Sequence, residues 1–334
     1  MRKTTLLFQQ VVVVIALAVF TGGCEKHSLS PKTNIEQPET EASMNDRAKE
    51  LLDQGISKWE SENFKEAAEL FSKAAELGNV DAQGCLADCY RAGKGVPKDD
   101  SKAVMWDRKS AEQGKALAQY IMGTRYLSGV GVPKDNAEAI KWFRKAAEQG
   151  YAKAQYIMGG YYTIGEGVSK DDAEAFMWYR KSADQENADA QLAIGFAYAK
   201  GEGIPKDESE AIRWTRKAAE QGHAKAQLVL GTRYFGGVGV PTDDAEAIKW
   251  FRKAADQAVP QAQYFLGICY SLGKGAPKDA TLAYMWFNLA AALGEKDASE
   301  RRDENSKIMT PEQIAEAQKL SREWKPTTKS KDTN

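Results

Sequence analysis

Few side chains in this sequence could perform chemistry, and they are widely spaced. The 334 residues include two histidines and four cysteines. His27 lies in a polar segment and His223 lies between two predicted helices, so neither has a nucleophile or metal ligand beside it in sequence. A zinc site needs clustered ligands, and nucleophilic catalysis needs a base next to the nucleophile. We therefore predict no catalytic residue, no metal site and no cofactor.

The cysteines after Cys24 do not form an obvious disulfide framework. Cys85 and Cys89 are four residues apart on one predicted helix, where a disulfide would be strained, and Cys269 is far away in sequence. In an oxidising compartment at least one of the three thiols would stay unpaired, and whether any pair forms stays open. Cys85 shares its place in a repeat, described below, with apolar residues, which favours a buried packing role. Those residues are Ile121, Ile157, Ala193, Val229 and Phe265.

Two recurring patterns imitate functional motifs. Gly-x-Gly loops such as Gly129 to Gly131 resemble phosphate cradles, but no strand precedes them and no Gly-Lys-Ser/Thr follows. A recurring aspartate could be read as a metal ligand, but each copy stands at a helix start, where helix capping explains it. The aspartates are Asp99, Asp135, Asp171, Asp207, Asp243 and Asp279.

These patterns belong to a repeat with a period of 36 residues. Several independent positions keep this interval without insertion, which is the signature of a repeat architecture. The tryptophans are Trp106, Trp142, Trp178, Trp214, Trp250 and Trp286. A tyrosine recurs from Tyr90 to Tyr270 and a glutamine from Gln83 to Gln263 at the same interval.

Each unit is predicted to contain two helices. In one copy the first helix runs from about Ala118 to Ser128 and stops at a glycine. The second helix begins after Asp135, where Glu138 completes a capping box, and continues to Gly150. A hairpin of this size cannot bury its own faces, so neighbouring hairpins must stack.

The repeated small and large residues predict how the helices pack. Glycine in a helix interior costs about 1 kcal/mol relative to alanine, so a recurring one implies close packing. We expect Gly123 and its equivalents to face a column of alanines that includes Ala103 and Ala139. The tryptophans are predicted to fill the core, and Arg144 and Lys145 to be solvated outer surface.

Charge excludes nucleic acid as a partner, and the N-terminus predicts export. The formal net charge is −1, whereas nucleic-acid binding demands clustered Lys and Arg. A basic start, the apolar run Val11–Phe20 and a small-residue exit are typical of a secretory signal over residues 1–23. The run is too short to span a bilayer. Residues 24–44 are predicted to be a disordered tether.

The ends of the array differ from its middle. Residues 45–81 form a tetratricopeptide-like capping hairpin, and residues 82–294 hold six copies of the 36-residue unit. Residues 295–325 are predicted to be capping helices, of which the last starts at Thr310 with a capping box. Residues 326–334 are predicted to be a disordered tail.

The repeat resembles the Sel-one-like repeat, a relative of the tetratricopeptide repeat. Its motif is matched by Ala118 to Tyr126, by Gly129 to Asp135 and by Ala139 to Ala147. The resemblance implies an all-α fold, an α-α superhelix in which helical hairpins form a right-handed solenoid, and a role as an adaptor for protein complexes. The copies depart from the motif at Ser169, Glu186 and Ala258, where we expect joints that bend differently.

The lipoprotein signal is a second resemblance. Gly22-Gly23-Cys24 is similar to the lipobox of bacterial lipoproteins, in which the cysteine is lipidated, although Thr21 stands where the motif usually has leucine. This implies lipidation of Cys24 and anchoring in the bacterial cell envelope facing the periplasm. We favour the outer over the inner membrane, and secretion is the alternative.

A binding surface is predicted on the first helices, which line the concave face of related solenoids. Two positions on these helices vary between copies. They lie one helical turn apart, between the positions of the uniform glutamine and the uniform tyrosine. The predicted residues are Tyr120, Tyr156, Tyr264, Leu192, Leu228, Thr124, Phe196 and Thr232. Tyrosine suits binding, although the three tyrosines could instead pad the packing between repeats.

The leading function is therefore a non-catalytic scaffold that binds a protein or peptide partner. One alternative is a hydrolase acting on cell-wall or β-lactam compounds, as cysteine-rich exported relatives are labelled, although this chain lacks paired cysteines in each repeat. The other is a secreted, effector-like protein that interacts with a host.

The variant Cys24→Ser tests the membrane anchor. Since the lipid would be attached to this sulfur, the variant should remain unprocessed and should lose the mass of the lipid. Membrane fractionation and intact-mass measurement check this. Two forms that are both soluble, and whose masses differ only by the substitution, would contradict lipidation.

Overall fold

The structure, a computed structural model, describes residues 40–327, which form sixteen α-helices and no β-strand. The all-α fold of successive helical hairpins predicted from the repeat is confirmed. The signal segment 1–23, Cys24, most of the tether and residues 328–334 lie outside the described residues. No described helix has both the length and the apolar character needed to cross a bilayer.

The chain divides into two compact units between Lys170 and Asp171. The first unit holds α1 to α7: Glu41–Glu60, Phe64–Glu76, Val80–Ala92, Asp100–Glu112, Ala116–Ser128, Asn136–Glu148 and Ala152–Ile164. The second unit holds α8 to α16: Asp172–Ala183, Ala188–Lys200, Glu208–Glu220, Ala224–Gly236, Asp244–Ala255, Pro260–Leu272, Ala280–Ala292, Ala298–Ser306 and Pro311–Glu323. Odd-numbered helices α3 to α13 are the first helices of the repeats, and even-numbered helices α4 to α14 are the second helices.

Local chemistry sets the helix ends. Gly129 ends α5 in the left-handed region with φ +77°, and its N–H donates to the Arg125 carbonyl at 2.8 Å. The Asp135 carboxylate accepts from the Glu138 N–H at 3.0 Å, and the other five recurring aspartates cap their helices in the same way. The capping box predicted at Glu138 is wrong, because its carboxylate instead bonds Lys141 at 3.0 Å. The box predicted at Thr310 is confirmed.

The Gly-x-Gly loops are packing elements. Gly131 lies against the first turn of α4, where an added Cβ would come within 2.7 Å of the Asp100 carbonyl oxygen. Where glycine is missing between helices, Glu186 and Ala258 keep a positive φ of 63° and 59°. The departures from the motif therefore preserve the left-handed bend, although an L side chain adopts it at a cost of about 1–2 kcal/mol.

Glycine allows the two helices of a repeat to approach closely. The expected contact with alanine occurs at Gly195, where an added Cβ would lie 3.1 Å from the Ala211 carbonyl oxygen, but in three other copies the nearest atoms belong to a phenyl ring. A Cβ on Gly123 would lie 2.6 Å from the Phe143 ring of α6. Gly231 and Gly267 face Phe251 and Phe287 in the same way. The glycine therefore makes room for a phenyl ring of the second helix. These rings are buried.

The variant Gly123→Ala should lower the free energy of unfolding by about 1–3 kcal/mol, because the new methyl group overlaps the buried Phe143 ring. Gly84→Ala is the matched control on α3, where nothing lies within 4 Å of the added Cβ. The control should be stabilising by up to about 1 kcal/mol. Chemical denaturation measures both, and equal effects of the two substitutions would contradict the contact.

The recurring glutamine joins one repeat to the next. Gln119 on α5 donates to the Ala111 carbonyl at the end of α4, at 3.1 Å. Its own carbonyl accepts from Gln149, which follows α6, at 2.7 Å. The same two bonds form around Gln83, Gln191 and Gln227. This glutamine ladder satisfies a buried side-chain amide and adds a second donor to a carbonyl near the helix C-terminus, which in the Ala111 copy already accepts the Gly114 N–H at 3.0 Å.

The ladder is incomplete in the last repeat. Gln263 donates to the Ala255 carbonyl at 3.4 Å. Its buried Oε1 finds no hydrogen-bond partner among the described residues. The position that Gln149 occupies in its repeat is here Leu293, which is 48% exposed. The side-chain oxygen of Gln263 therefore lacks a donor because leucine replaces glutamine at position 293.

The variant Leu293→Gln should complete the ladder and raise the free energy of unfolding by about 1 kcal/mol, the usual net value of such a bond. Leu293→Ala removes the same exposed side chain without adding a donor and is the control. The denaturation midpoint distinguishes them. A glutamine variant no more stable than the alanine variant would show that Gln263 gains nothing from a donor.

The charged residues beside each tryptophan lie at the outer surface, as Lys145 is exposed and Arg144 is half-buried, but they also make structural contacts that were not predicted. Arg144 donates to the Tyr162 hydroxyl at 3.2 Å, and Lys145 lies 4.4 Å from the Trp142 ring centroid. Arg108, Arg216 and Arg252 bond the next tyrosine in the same way. The arginine–tyrosine bonds therefore join neighbouring hairpins, whereas the lysine packs on the tryptophan of its own helix.

Both ends of the array are closed by aromatic contacts. Trp59 packs edge-on against Phe64, with ring centroids 4.8 Å apart. The helix α1 that carries Trp59 begins at Glu41, so residues 41–44 are helical and not part of a disordered tether as predicted. At the other end α16 covers α14, where Trp324 packs against Trp286 at 6.2 Å. This position agrees with the capping helices predicted for residues 295–325.

Candidate partner-binding surface

The eight predicted binding residues all lie on first helices, but they differ in exposure. Tyr120 and Leu192 are each only 4% exposed. The other six residues are half-buried: Tyr156, Tyr264, Leu228, Thr124, Phe196 and Thr232. One position of the repeat is therefore a surface residue in some copies and a core residue in others.

Tyr120 illustrates how a neighbour decides this. Its ring lies 5.1 Å from the Tyr151 ring and 5.8 Å from the Phe143 ring. Burial raises the pKa of the Tyr120 hydroxyl above its ordinary value. Tyr120 therefore offers almost no surface to a partner and serves packing, which was the alternative stated for these tyrosines.

The position of Cys85, predicted to be buried filler, is buried in two copies and half-buried in the other four. Cys85 and Ile157 are buried as predicted, but Ile121, Ala193, Val229 and Phe265 are half-buried. On a helix, residues three apart lie side by side, so Val229 adjoins Thr232. In the second unit these two positions together form an apolar surface on the first helices. We call it the first-helix surface; its members are Ala193, Phe196, Val229, Thr232, Phe265 and Ile268.

A buried ionic cluster in the first unit was not predicted. Asp107 on α4 is 1% exposed and accepts from Arg125 Nε at 2.7 Å and from Arg91 Nη2 at 3.1 Å. Arg91 also pairs with Asp88, which is half-buried. Burial raises the pKa of the Asp107 carboxyl, and the two guanidinium groups oppose that shift. The cluster joins α3, α4 and α5 by charge where other repeats use rings.

A signal for this cluster was present in the sequence. Asp107 occupies the position of Phe143, Phe251 and Phe287 in other copies. Ala87 accordingly replaces the glycine that makes room for those rings. A carboxylate in an aromatic position predicts a buried cation, since an unpaired buried charge is very costly.

The remaining candidates for chemistry are occupied in structural roles. Cys85, Cys89 and Cys269 are buried and unpaired, and burial raises the pKa of each thiol to about 12, which keeps them protonated. His223 caps α11 through Nδ1 and contacts Asp189 through Nε2 at 3.0 Å. Within residues 40–327 no three His, Cys, Asp or Glu side chains are grouped to hold a metal.

One spacing used by some hydrolases, Ser-x-x-Lys, occurs at the end of α13 in Ser271 and Lys274. The Ser271 hydroxyl donates to the Ile268 carbonyl at 3.0 Å, and Lys274 Nζ lies 4.7 Å from the Phe235 ring centroid. The hydroxyl and the amine are therefore held in separate contacts, and the lysine is not positioned to activate the serine.

Comparison with known proteins agrees with the hairpin geometry. The profile of the Sel1 repeat matches seven consecutive segments, residues 42–79, 80–115, 116–151, 152–187, 188–223, 224–259 and 260–295. The chain belongs to the Sel1 repeat family. Members of this family are generally protein-interaction scaffolds. The first match covers α1 and α2, which we had assigned to a tetratricopeptide-like cap, so the array has one more Sel1 repeat than predicted.

Two solved structures are similar over most of the chain. A Sel1 repeat protein from Oxalobacter formigenes is 34% identical, with a TM-score of 0.66, and the match covers 72% of this chain and 96% of the other. A protective antigen from uropathogenic Escherichia coli with an SLR fold is 30% identical, with a TM-score of 0.57, covering 85% of this chain and 68% of the other. No curated protein matches the chain significantly.

The variant Asp107→Asn should lower the free energy of unfolding by about 3–5 kcal/mol, because it leaves the charge of Arg125 buried without a counter-charge. Asp88→Asn is the control: this carboxylate pairs with the same Arg91 but is partly exposed, so its loss should change stability by at most about 1 kcal/mol. Chemical denaturation compares the two. Equal losses would mean that Arg125 does not depend on Asp107.

Proposed function

We propose that this protein is a non-catalytic scaffold that binds a protein or peptide partner through the first helices of its repeats. The observation that carries the proposal is that uniform and variable positions of the repeat have different roles. The uniform glutamine, tyrosine and aspartate are engaged in bonds that build the array. The half-buried positions of the first helices vary from copy to copy.

The chemistry of the first-helix surface supports a protein partner. Phe196, Val229 and Phe265 expose apolar atoms, while the hydroxyl of Thr232 donates to the Val229 carbonyl of its own helix. Apolar and aromatic side chains of this kind provide most of the binding energy at protein interfaces. The protonated, buried thiols and the separated Ser271 and Lys274 give no support to the hydrolase alternative.

We also propose that Cys24 is lipidated and anchors the scaffold in the bacterial cell envelope, facing the periplasm. Support comes from the basic start, the apolar run and the Gly-Gly-Cys exit of residues 1–24. A polar segment before α1 would lift the repeats off the membrane surface.

Partner capture by the full chain tests the scaffold proposal. Proteins captured from envelope extract are identified by mass spectrometry, and Phe196→Ala and Tyr156→Ala should each weaken capture of the same partner by about tenfold or more. Met177→Ala is the control, because Met177 is an exposed apolar residue on the second helix α8. It should leave capture and melting temperature unchanged.

Tyr120→Ala serves as a comparison for stability. Because Tyr120 is buried between two aromatic rings, this variant should lower the free energy of unfolding by about 3–5 kcal/mol. The Phe196 and Tyr156 variants should remain closer to the parent protein. If they bind as well as the parent, the first helices are not the binding surface.

A further inference from the structure

The last repeat of the second unit contains an apolar cavity. It has a volume of about 280 Å³ and opens between α13, α14 and α15. Ile268, Leu272 and Ile308 form its walls, and Phe287 closes its floor. Leu272 is 62% exposed and Ile308 is 66% exposed, which is unusual for large aliphatic side chains that border one hollow.

The preceding repeat shows what fills the same place elsewhere in this chain. There Phe251 is covered by two phenyl rings. The Phe265 ring stacks on it at 5.0 Å with an interplanar angle of 6°, and the Phe235 ring lies 6.2 Å away. Both rings come from first helices, α13 and α11, so Phe251 is enclosed by the chain itself.

The last repeat lacks both of these rings. One period after Phe251 stands Phe287, but the positions of Phe235 and Phe265 are taken by Ser271 and Arg301. Both residues border the cavity. The two rings that pack on Phe251 therefore have no counterpart beside Phe287. The Phe287 ring instead packs 5.8 Å from the Tyr264 ring and is 2% exposed, and the cavity lies beside it at the positions of the missing rings.

Arg301 does not close this space. Its guanidinium bonds Glu304 at 3.1 Å, and a hydrogen bond with the Tyr264 hydroxyl together with the Glu304 charge raises the pKa of Arg301. These contacts hold its charged end at the exposed rim. Because Arg301 and Glu304 balance each other, the rim offers no net charge to select an ionic group.

We propose that this cavity is an anchoring site for one aromatic side chain of a bound peptide. The proposal rests on the scaffold function and names a part of the partner that it binds. A volume of about 280 Å³ is below the range of about 300–1,000 Å³ typical of small-molecule sites, which favours a single side chain. An aromatic anchor seated in a pocket is the usual form of an interface hot spot.

The cavity also continues the first-helix surface. Ile268 belongs to both, and it lies one period after Thr232 and two after Phe196. A peptide lying along the first helices of the second unit would therefore reach the cavity at its end. The repeats before α13 would contact the peptide at half-buried side chains, and the cavity would enclose one of its rings.

N-acetylphenylalanine amide is a suitable probe, since it carries the side chain without the rest of a partner. In the full chain, labelled at Ile and Leu methyl groups, titration should shift the signals of Ile268, Leu272 and Ile308. N-acetyllysine amide should leave them unchanged. Ser271→Phe places a ring where Phe235 stands in the preceding repeat. This variant should weaken binding of the phenylalanine probe by about tenfold or more.

Lys307→Phe is the matched control, because it adds the same ring to an exposed residue after α15 that does not line the cavity. This variant should titrate like the parent protein. Arg301→Phe, which restores the other missing ring, is used if Ser271→Phe does not fold. The absence of shifts in the parent, equal shifts with the lysine probe, or unchanged binding by the filled variants would each overturn the proposal.

The result is separable from the test of the scaffold itself. If Phe196→Ala abolishes partner capture while the probe shifts no cavity methyl group, the scaffold function stands and the cavity proposal fails. If the probe binds and Ser271→Phe blocks it, while partner capture is insensitive to Phe196→Ala and Tyr156→Ala, the proposed first-helix surface fails and the aromatic site stands.

Discussion

Close approach of two helices around a buried ring is the contact on which this structure depends. Gly123 faces Phe143 with no room for a methyl group, and Gly231 and Gly267 repeat the arrangement. A hairpin of 36 residues has too little interior to be stable alone, so its ring and its tryptophan must pack with the neighbouring hairpins. The αL glycine, the aspartate cap and the glutamine ladder then keep each copy at the spacing this packing needs.

The exceptions to this packing show what it requires. Asp107 replaces a ring, and the structure compensates with two arginines from adjacent first helices and with alanine in the glycine position. Removing one partner of such a buried group is far more costly than replacing the whole group by apolar side chains. At the other end, Gln263 loses its donor and Phe287 loses two covering rings. Both departures fall in the seventh repeat, which packs against α15 and α16 rather than against another Sel1 repeat.

These packing requirements leave some positions of the repeat free to vary in residue type and constrain others. Positions that build the array are filled alike in most copies, because every joint repeats the same packing problem, and a departure such as Asp107 is compensated by its neighbours. The half-buried positions of the first helices carry no such requirement, and they hold rings in some copies and small residues in others. Binding specificity in a scaffold of this kind can therefore reside in side chains whose substitution leaves the spacing of the helices unchanged.

The sequence by itself determined the period, the all-α fold, the helix-ending glycines and the aspartate caps. Each of these depends on residues within one turn of each other or on a fixed interval, and both are visible in a linear sequence. Exposure was decided only by the tertiary structure. Tyr120 and Tyr156 share one position, yet only Tyr120 is fully buried, because Tyr151 covers its ring. A side chain's surroundings come from several helices at once, and no single position specifies them.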